Sequence, residues 1–313
     1  MKTGRNQRSS NQVKSRKDFY DWLAETIEIN GIKRVERDTA FDTNDCFSGG
    51  IRLFYDSRTD AADGLKEGVL LEAGFRCVAL DLPGFGRSDK PTDDDWYTYE
   101  RHVAAVRHVI DTLDLDRIHV VVQDWAGPIG LRQMVDQPER FARAFVFNTW
   151  LHHDGHRYSD GVRLWRSLAL DPDRLGGDMP TGRIVAGTMR RPGHDSDALS
   201  AMYDAPFTSV VDKAGARAFP TMLPFAQPER GGAAQQQRCF EALRDAPPCP
   251  IHFAFGDADP VFPYSAGEAW AAVVPGATID RIPNAGHFVQ ADAPDDCLDV
   301  VRRRLVDGVG DAP

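Results

Sequence analysis

Three residues far apart in the chain have types that can act together. Asp124 lies in VVVQDWAGPIGLR, residues 120–132, where an apolar strand-like run meets a turn of small residues and then a helical pattern. Such a bend holds one side chain exposed on a strained strand-to-helix turn, which presents it for attack. Val122 and Ala126 occupy the two flanking positions that must be small, and the presented residue is Asp rather than Ser. His287, in RIPNAGHFVQ, follows a short apolar run and a glycine turn near the C-terminus, and Asp259, in FAFGDADPVFP, directly follows another strand-like run. The chemistry these types allow is nucleophilic attack by a carboxylate, followed by proton transfer through an imidazole that a second carboxylate orients.

Each residue also has a plainer use. Asp124 can cap the helix that follows it, since Asp is a favoured N-cap. Asp259 can be a turn residue before Pro260, with Asp257 a rival for the acid role, and a single His is commonly structural. The chain order nucleophile, acid, histidine, each at a strand end, is that of the α/β-hydrolase triad, and the coincidence of all three favours the catalytic reading.

The elements that must position these residues follow from the pattern of apolar runs. Residues 51–55, 76–80, 118–122, 144–147 and 251–255 are β-branched or aromatic runs that read as buried strands. Helical patterns lie between several of them, at 99–113 and at 127–137, the second closed by Pro138. This alternation predicts an α/β fold with a mostly parallel sheet covered by helices on both faces, and chemistry at the carboxyl ends of the strands. It breaks down between about 151 and 232, where helical fragments are separated by Pro and Gly turns. That region reads as a helical cap, 151–232, inserted into an α/β core made of 18–150 and 233–313, with Gly231 and Gly232 as a return hinge or an ordinary loop. Residues 1–17, polar and basic, read as a disordered leader.

Composition narrows the function classes. The 313 residues carry 37 Lys+Arg against 47 Asp+Glu, a net charge of −10, which repels phosphate backbones and anionic lipid. No run approaches the roughly 18–20 apolar residues a bilayer span needs. Neither nucleic acid nor membrane is expected as a partner. Cys46, Cys77, Cys239, Cys249 and Cys297 are odd in number and contain no C-x-x-C, which argues against a disulfide framework or a zinc site and favours a cytoplasmic location.

The sequence resembles the haloalkane dehalogenases of the α/β-hydrolase superfamily. The resemblance is carried by DLPGFGRSDKP (81–91), VVQDWAG (121–127), YDAPFTSVVDKAGARAFP (203–220), GDADPVFP (256–263) and NAGHFVQ (284–290), and it extends over most of residues 75–305. It implies an α/β-hydrolase fold with a helical cap, and Asp124 as nucleophile, His287 as base and Asp259 as its acid partner. Some relatives place the acid after the strand preceding the cap, where this chain has Asn148. It further implies halide donors in the indoles of Trp125 and Trp165, although Trp165 by its own properties reads as core or pocket lining. The substrate implied is a small halogenated hydrocarbon, attacked with water and released as alcohol and halide, with no cofactor or metal.

The chain departs from that pattern upstream. Relatives carry a further strand and an H-G-x-P turn that supplies a second oxyanion donor, whereas here IRLFY (51–55) passes through residues 56–68 almost directly to VLLEAGF, and no H-G-x-P occurs. A central strand with its turn is therefore expected to be missing, leaving unpaired ladder groups and a weakened oxyanion hole unless 56–68 rebuild it. Two other readings stay open: an epoxide hydrolase using Tyr158 and Tyr203 as acids, and a non-catalytic protein of hydrolase fold.

Overall fold

The computed structural model describes residues 51–56 and 75–307. The leader expected at 1–17, Cys46 and residues 57–68 lie outside the described residues. In chain order the strands are β1 (Ile51–Asp56), β2 (Phe75–Ala79), β3 (Ile118–Gln123), β4 (Phe141–Phe147), β5 (Ile251–Gly256) and β6 (Thr278–Ile282). The helices are α1 (Tyr99–Thr112), α2 (Ala126–Asp136), α3 (Asp160–Leu170), α4 (Thr181–Thr188), α5 (Ser196–Asp204), α6 (Ala214–Thr221), α7 (Ala233–Asp245), α8 (Tyr264–Ala271), α9 (Val289–Asp292) and α10 (Pro294–Asp307).

Among the described residues, the six strands form one sheet in the order β2-β1-β3-β4-β5-β6. The run from β3 to β6 is parallel. Side chains alternate between its faces with the period of two that a strand imposes. In β4, Ala144 and Val146 face a core shared with Val103 and Ile110 of α1, Ile129 of α2, Leu243 of α7 and Trp270 of α8. Phe145 and Phe147 face the opposite core, closed by Cys297, Val300, Val301 and Leu305 of α10. With both faces covered, β5 is buried at every position, which is why IHFAFG reads as a continuous apolar run.

The expected gap in the sheet is not there. β1 lies between β2 and β3 and pairs with both, so a strand fills the position the sequence left vacant. It does so antiparallel to both neighbours, which makes the sheet mixed rather than uniformly parallel. The ladder bonds that a missing strand would leave unpaired are thereby made. Direction has a second consequence: Ile51 pairs with Val122 beside the carboxyl end of β3, whereas Tyr55 pairs with Ile118 at its amino end. Asp56 therefore lies at the end of the sheet away from Asp124.

Helices α3 to α6 all fall between β4 and β5. The return from them at Gly231 and Gly232 is packed rather than hinged. Both glycines are buried, Gly232 has φ 69°, and a Cβ there would meet Tyr99 Cδ1 at 2.1 Å. A Cβ on Gly231 would meet Met222 O at 2.1 Å. Small side chains serve close approach here, not mobility.

Candidate active site

β3 ends at Gln123 and α2 begins at Ala126, leaving Asp124 and Trp125 to make the turn. Asp124 has φ 51°, in the left-handed region that costs an L-residue about 1–2 kcal/mol and that Asp tolerates better than most. The surroundings enforce it. Asp124 N–H donates to Asn148 O at 3.0 Å, Gly127 N–H donates to Asp124 O at 2.9 Å, and the Thr149 hydroxyl donates to that same carbonyl. A Cβ on Gly127 would meet Thr149 Oγ1 at 2.0 Å, and one on Gly130 would meet Val122 Cγ1 at 2.6 Å, so α2 can approach β3 and β4 only because these positions are glycine.

The capping alternative for Asp124 is not what the geometry shows. The N-cap position of α2 is Trp125, which makes no side-chain cap bond, and the Trp125 N–H beside the Asp124 carboxylate favours its charged form. Across from it, His287 Nε2 lies 3.8 Å from Asp124 Oδ1, and His287 Nδ1 lies 3.0 Å from Asp259 Oδ2. Asp259 is fully enclosed and further satisfied by the Val261 N–H at 2.7 Å and by Asn148 Nδ2 at 2.9 Å. Its rival is occupied elsewhere: Asp257 is an exposed residue whose carboxylate accepts the Asn284 N–H at 2.7 Å.

The charges in this group act on one another. Desolvation by the surrounding protein pushes the Asp124 carboxyl above its usual range, against the opposing pull of His287 and of the Trp125 N–H. For His287, burial opposes protonation, but the Asp259 charge and hydrogen bond, with a further contribution from Asp124, outweigh it and hold the imidazole above its ordinary value.

The two indoles approach one face of α6. Trp125 is buried, stacks on Phe219 at 5.3 Å between centroids, and meets Trp150 edge-on at 4.9 Å. Trp165 on α3 packs with Ala169, Met179 and Ala216. Ala216 and Phe219 are three residues apart on α6 and so share a face. Of the tyrosines considered as epoxide acids, Tyr158 is buried with its hydroxyl 3.0 Å from His152 Nδ1, and Tyr203 packs its ring 6.3 Å from that of Phe288.

Sequence reasoning noted Asn148 only for the carboxylate it lacks. In the structure it is a donor to Asp259, while its own Oδ1 accepts the Gly256 N–H at 2.8 Å. Gln123 enters the sequence reading only within VVQDWAG (121–127) and Thr149 not at all; in the structure Gln123 is buried and its Nε2 donates to the His287 carbonyl at 3.1 Å. The available signal was position: all three are polar residues at the carboxyl ends of buried strands, where an unpaired side chain would be costly.

Comparison with known proteins agrees with this architecture. A family model described as the alpha/beta hydrolase fold matches residues 65–294. The chain is 36% identical over 229 residues to a haloalkane dehalogenase of Psychrobacter cryohalolentis, covering 72% of each chain. It is 39% identical over 227 residues to a haloalkane dehalogenase of Mycolicibacterium paratuberculosis, covering 71% of this chain and 72% of that one. Among solved structures, the tetrameric haloalkane dehalogenase of Paraglaciecola agarilytica superposes with a TM-score of 0.63 at 30% identity, over 73% of this chain and 74% of that chain. No helix among the described residues is long and apolar enough to cross a membrane.

Proposed function

The chain belongs to the haloalkane dehalogenase family of the α/β-hydrolase fold, and from that premise we propose that Asp124, His287 and Asp259 carry out the hydrolytic dehalogenation of haloalkanes through an ester on Asp124. The observation that carries the assignment is the Asp124 carboxylate at the strained bend, with His287 Nε2 3.8 Å away and the imidazole held in turn by Asp259.

In the first step the ionised Asp124 attacks the halogen-bearing carbon from the side opposite the halogen. The C–O bond forms as the carbon–halogen bond breaks, and the electron pair leaves with the halide. A partly shielded carboxylate suits this attack, because less hydration has to be shed than from a fully exposed one. The indole N–H groups of Trp125 and Trp165 would stabilise the departing ion; as donors without formal charge they do so without neutralising the nearby nucleophile. In the second step His287 takes a proton from water, which attacks the Asp124 carbonyl carbon. Alcohol leaves, the carboxylate returns and the proton is released, with Asp259 holding the imidazole tautomer and stabilising the imidazolium. The Trp125 N–H that meets the carboxylate in the free protein supplies one oxyanion donor.

Coupling of the charges assists the sequence of steps. Alkylation turns Asp124 into a neutral ester and removes one of the charges that raise the His287 pKa. The imidazole therefore becomes easier to keep neutral at the stage where it must act as base. Residues 151–232 form the cap over this site in our reading, and a cytoplasmic location accords with Cys239, Cys249 and Cys297, which are free thiols. Halide release from short bromo- and chloroalkanes tests the assignment. Turnover is expected from the native chain and not from Asp124→Asn, while His287→Gln is expected to stop at an alkyl ester detectable by mass on the Asp124 peptide. Undiminished halide release without the Asp124 carboxylate would overturn it.

A further inference from the structure

His287 is held through its backbone as well as through its ring. Gln123 holds its carbonyl, and one residue earlier the Gly286 N–H donates to Asp292 Oδ2 at 2.6 Å. Asp292 ends the short helix α9, and its side chain is wholly enclosed. Its other partners come from the link between α4 and α5. The Arg190 N–H donates to Oδ2 at 2.9 Å, the Arg191 N–H to Oδ1 at 3.0 Å, and His194 Nε2 lies 2.9 Å from Oδ1. The same link touches the histidine turn directly, because a Cβ on Gly286 would come within 2.2 Å of Thr188 O. Arg191 adds a bond to Pro283 O at 2.8 Å and an ion pair with Asp296.

An enclosed carboxylate is tolerated only when its lone pairs are taken by donors. Here one of the four comes from the turn that carries the base, and three come from the cap segment, so the carboxylate is satisfied only when both are seated together. We propose that Asp292 is a positioning residue for ester hydrolysis, coupling the docking of cap residues 188–194 to the placement of the His287 imidazole. The inference rests on the assignment of Asp124 and His287 above and deepens it: the first half-reaction, which does not use the imidazole as base, is insensitive to this link, whereas the second depends on it.

The test follows the two half-reactions separately, by rapid-quench halide release and by the mass of the Asp124 peptide, with a short bromoalkane. In Asp292→Asn one carboxylate oxygen becomes a donor, so two of the four bonds are lost at nearly unchanged volume. Alkylation is expected to stay within about threefold of the native rate, while hydrolysis slows at least about tenfold, the scale of a small misplacement of a reacting group. The ester then accumulates, and kcat and KM fall together. His194→Ala removes a single donor from a partly exposed side chain; it is expected to move the same readouts in the same direction by less, and it carries the test if Asp292→Asn does not fold. Equal loss of both half-reactions, or unchanged hydrolysis in the folded variants, overturns the proposal. His287→Gln run beside them separates the two levels: if it accumulates no ester, the assignment of Asp124 and His287 fails, whatever the Asp292 variants do.

Discussion

The proposed nucleophile and the proposed base that follows it are fixed by different physics. Asp124 is placed mainly by close packing of backbone, a left-handed bend beside glycines at 127 and 130 with no room for a methyl group, and the turn is closed by two backbone hydrogen bonds and a hydroxyl that leave its own side chain free of them. His287 is placed by polar groups: Asp259 on its ring, Gln123 on its carbonyl, Asp292 on the preceding N–H, and Asn148 behind Asp259. Packing is steep in distance and indifferent to charge, while hydrogen bonds tolerate small changes of volume but not a lost partner. The nucleophile is thus sensitive to added atoms and the base to altered polarity.

The largest effect expected from that contrast is at Asp124 itself. Asp124→Gly removes the nucleophile and should lower turnover by about 10⁴-fold or more, a scale seen when a covalent nucleophile is lost. The same change relieves a left-handed strain of about 1–2 kcal/mol, so the Tm should not fall. Thermal unfolding and halide release on one preparation check both parts, and a destabilised variant would show that the bend is not strained as described.

Next comes the polar side. Asp259→Asn leaves shape unchanged but removes the charge that stabilises the imidazolium, and should slow ester hydrolysis roughly 10²- to 10⁴-fold with the ester accumulating. It also moves a pH limb. His287 must be neutral to act, and the Asp259 charge and hydrogen bond that favour its protonated form persist in the ester, so hydrolysis is lost as pH falls and the imidazole is protonated. Without the Asp259 charge that limb should shift to lower pH. A pH profile of hydrolysis in the variant that kept the native acid limb would mean that another group sets it.

A smaller effect probes volume alone. Gly127→Ala forces a methyl group against Thr149 Oγ1, and overpacking of this kind costs about 1–3 kcal/mol. A lowered Tm and reduced alkylation are expected, because the bend must shift; unchanged stability would break the claim that packing holds the nucleophile. Least of all is expected from Asp257→Asn, which alters an exposed turn and should change stability by less than about 0.5 kcal/mol with full activity. Loss of activity there would move the acid role away from Asp259.

Much of this was legible from local pattern. β3 and β5 are buried apolar runs close to the expected length, whereas β4 begins at Phe141, three residues before the run expected at 144–147, and the bend at Asp124 is written in the residues on either side of it. Asp259 and His287 are marked by following strand-like runs. β1 is different: IRLFY reads as a strand, but periodicity of side chains carries no information about which neighbours a strand takes or in which direction it runs. That is why the expected vacancy in the sheet proved to be filled by an antiparallel strand. Gly231 and Gly232 illustrate the same limit, since glycine permits both mobility and close approach, and only the neighbours Met222 and Tyr99 decide between them.

The sequence by itself determined the residue types proposed to react, their order along the chain and the strand ends that carry them, because these depend on short-range pattern. Only the tertiary structure decided which acid faces His287, how Asn148 and Gln123 serve the site, and that Asp292 joins the cap segment to the histidine turn. Asp259 and His287 are 28 residues apart, and the other relations link positions about 100 or more residues apart. They arise because buried polar groups must find partners wherever the fold brings them together, and the primary structure does not reveal which partners those will be.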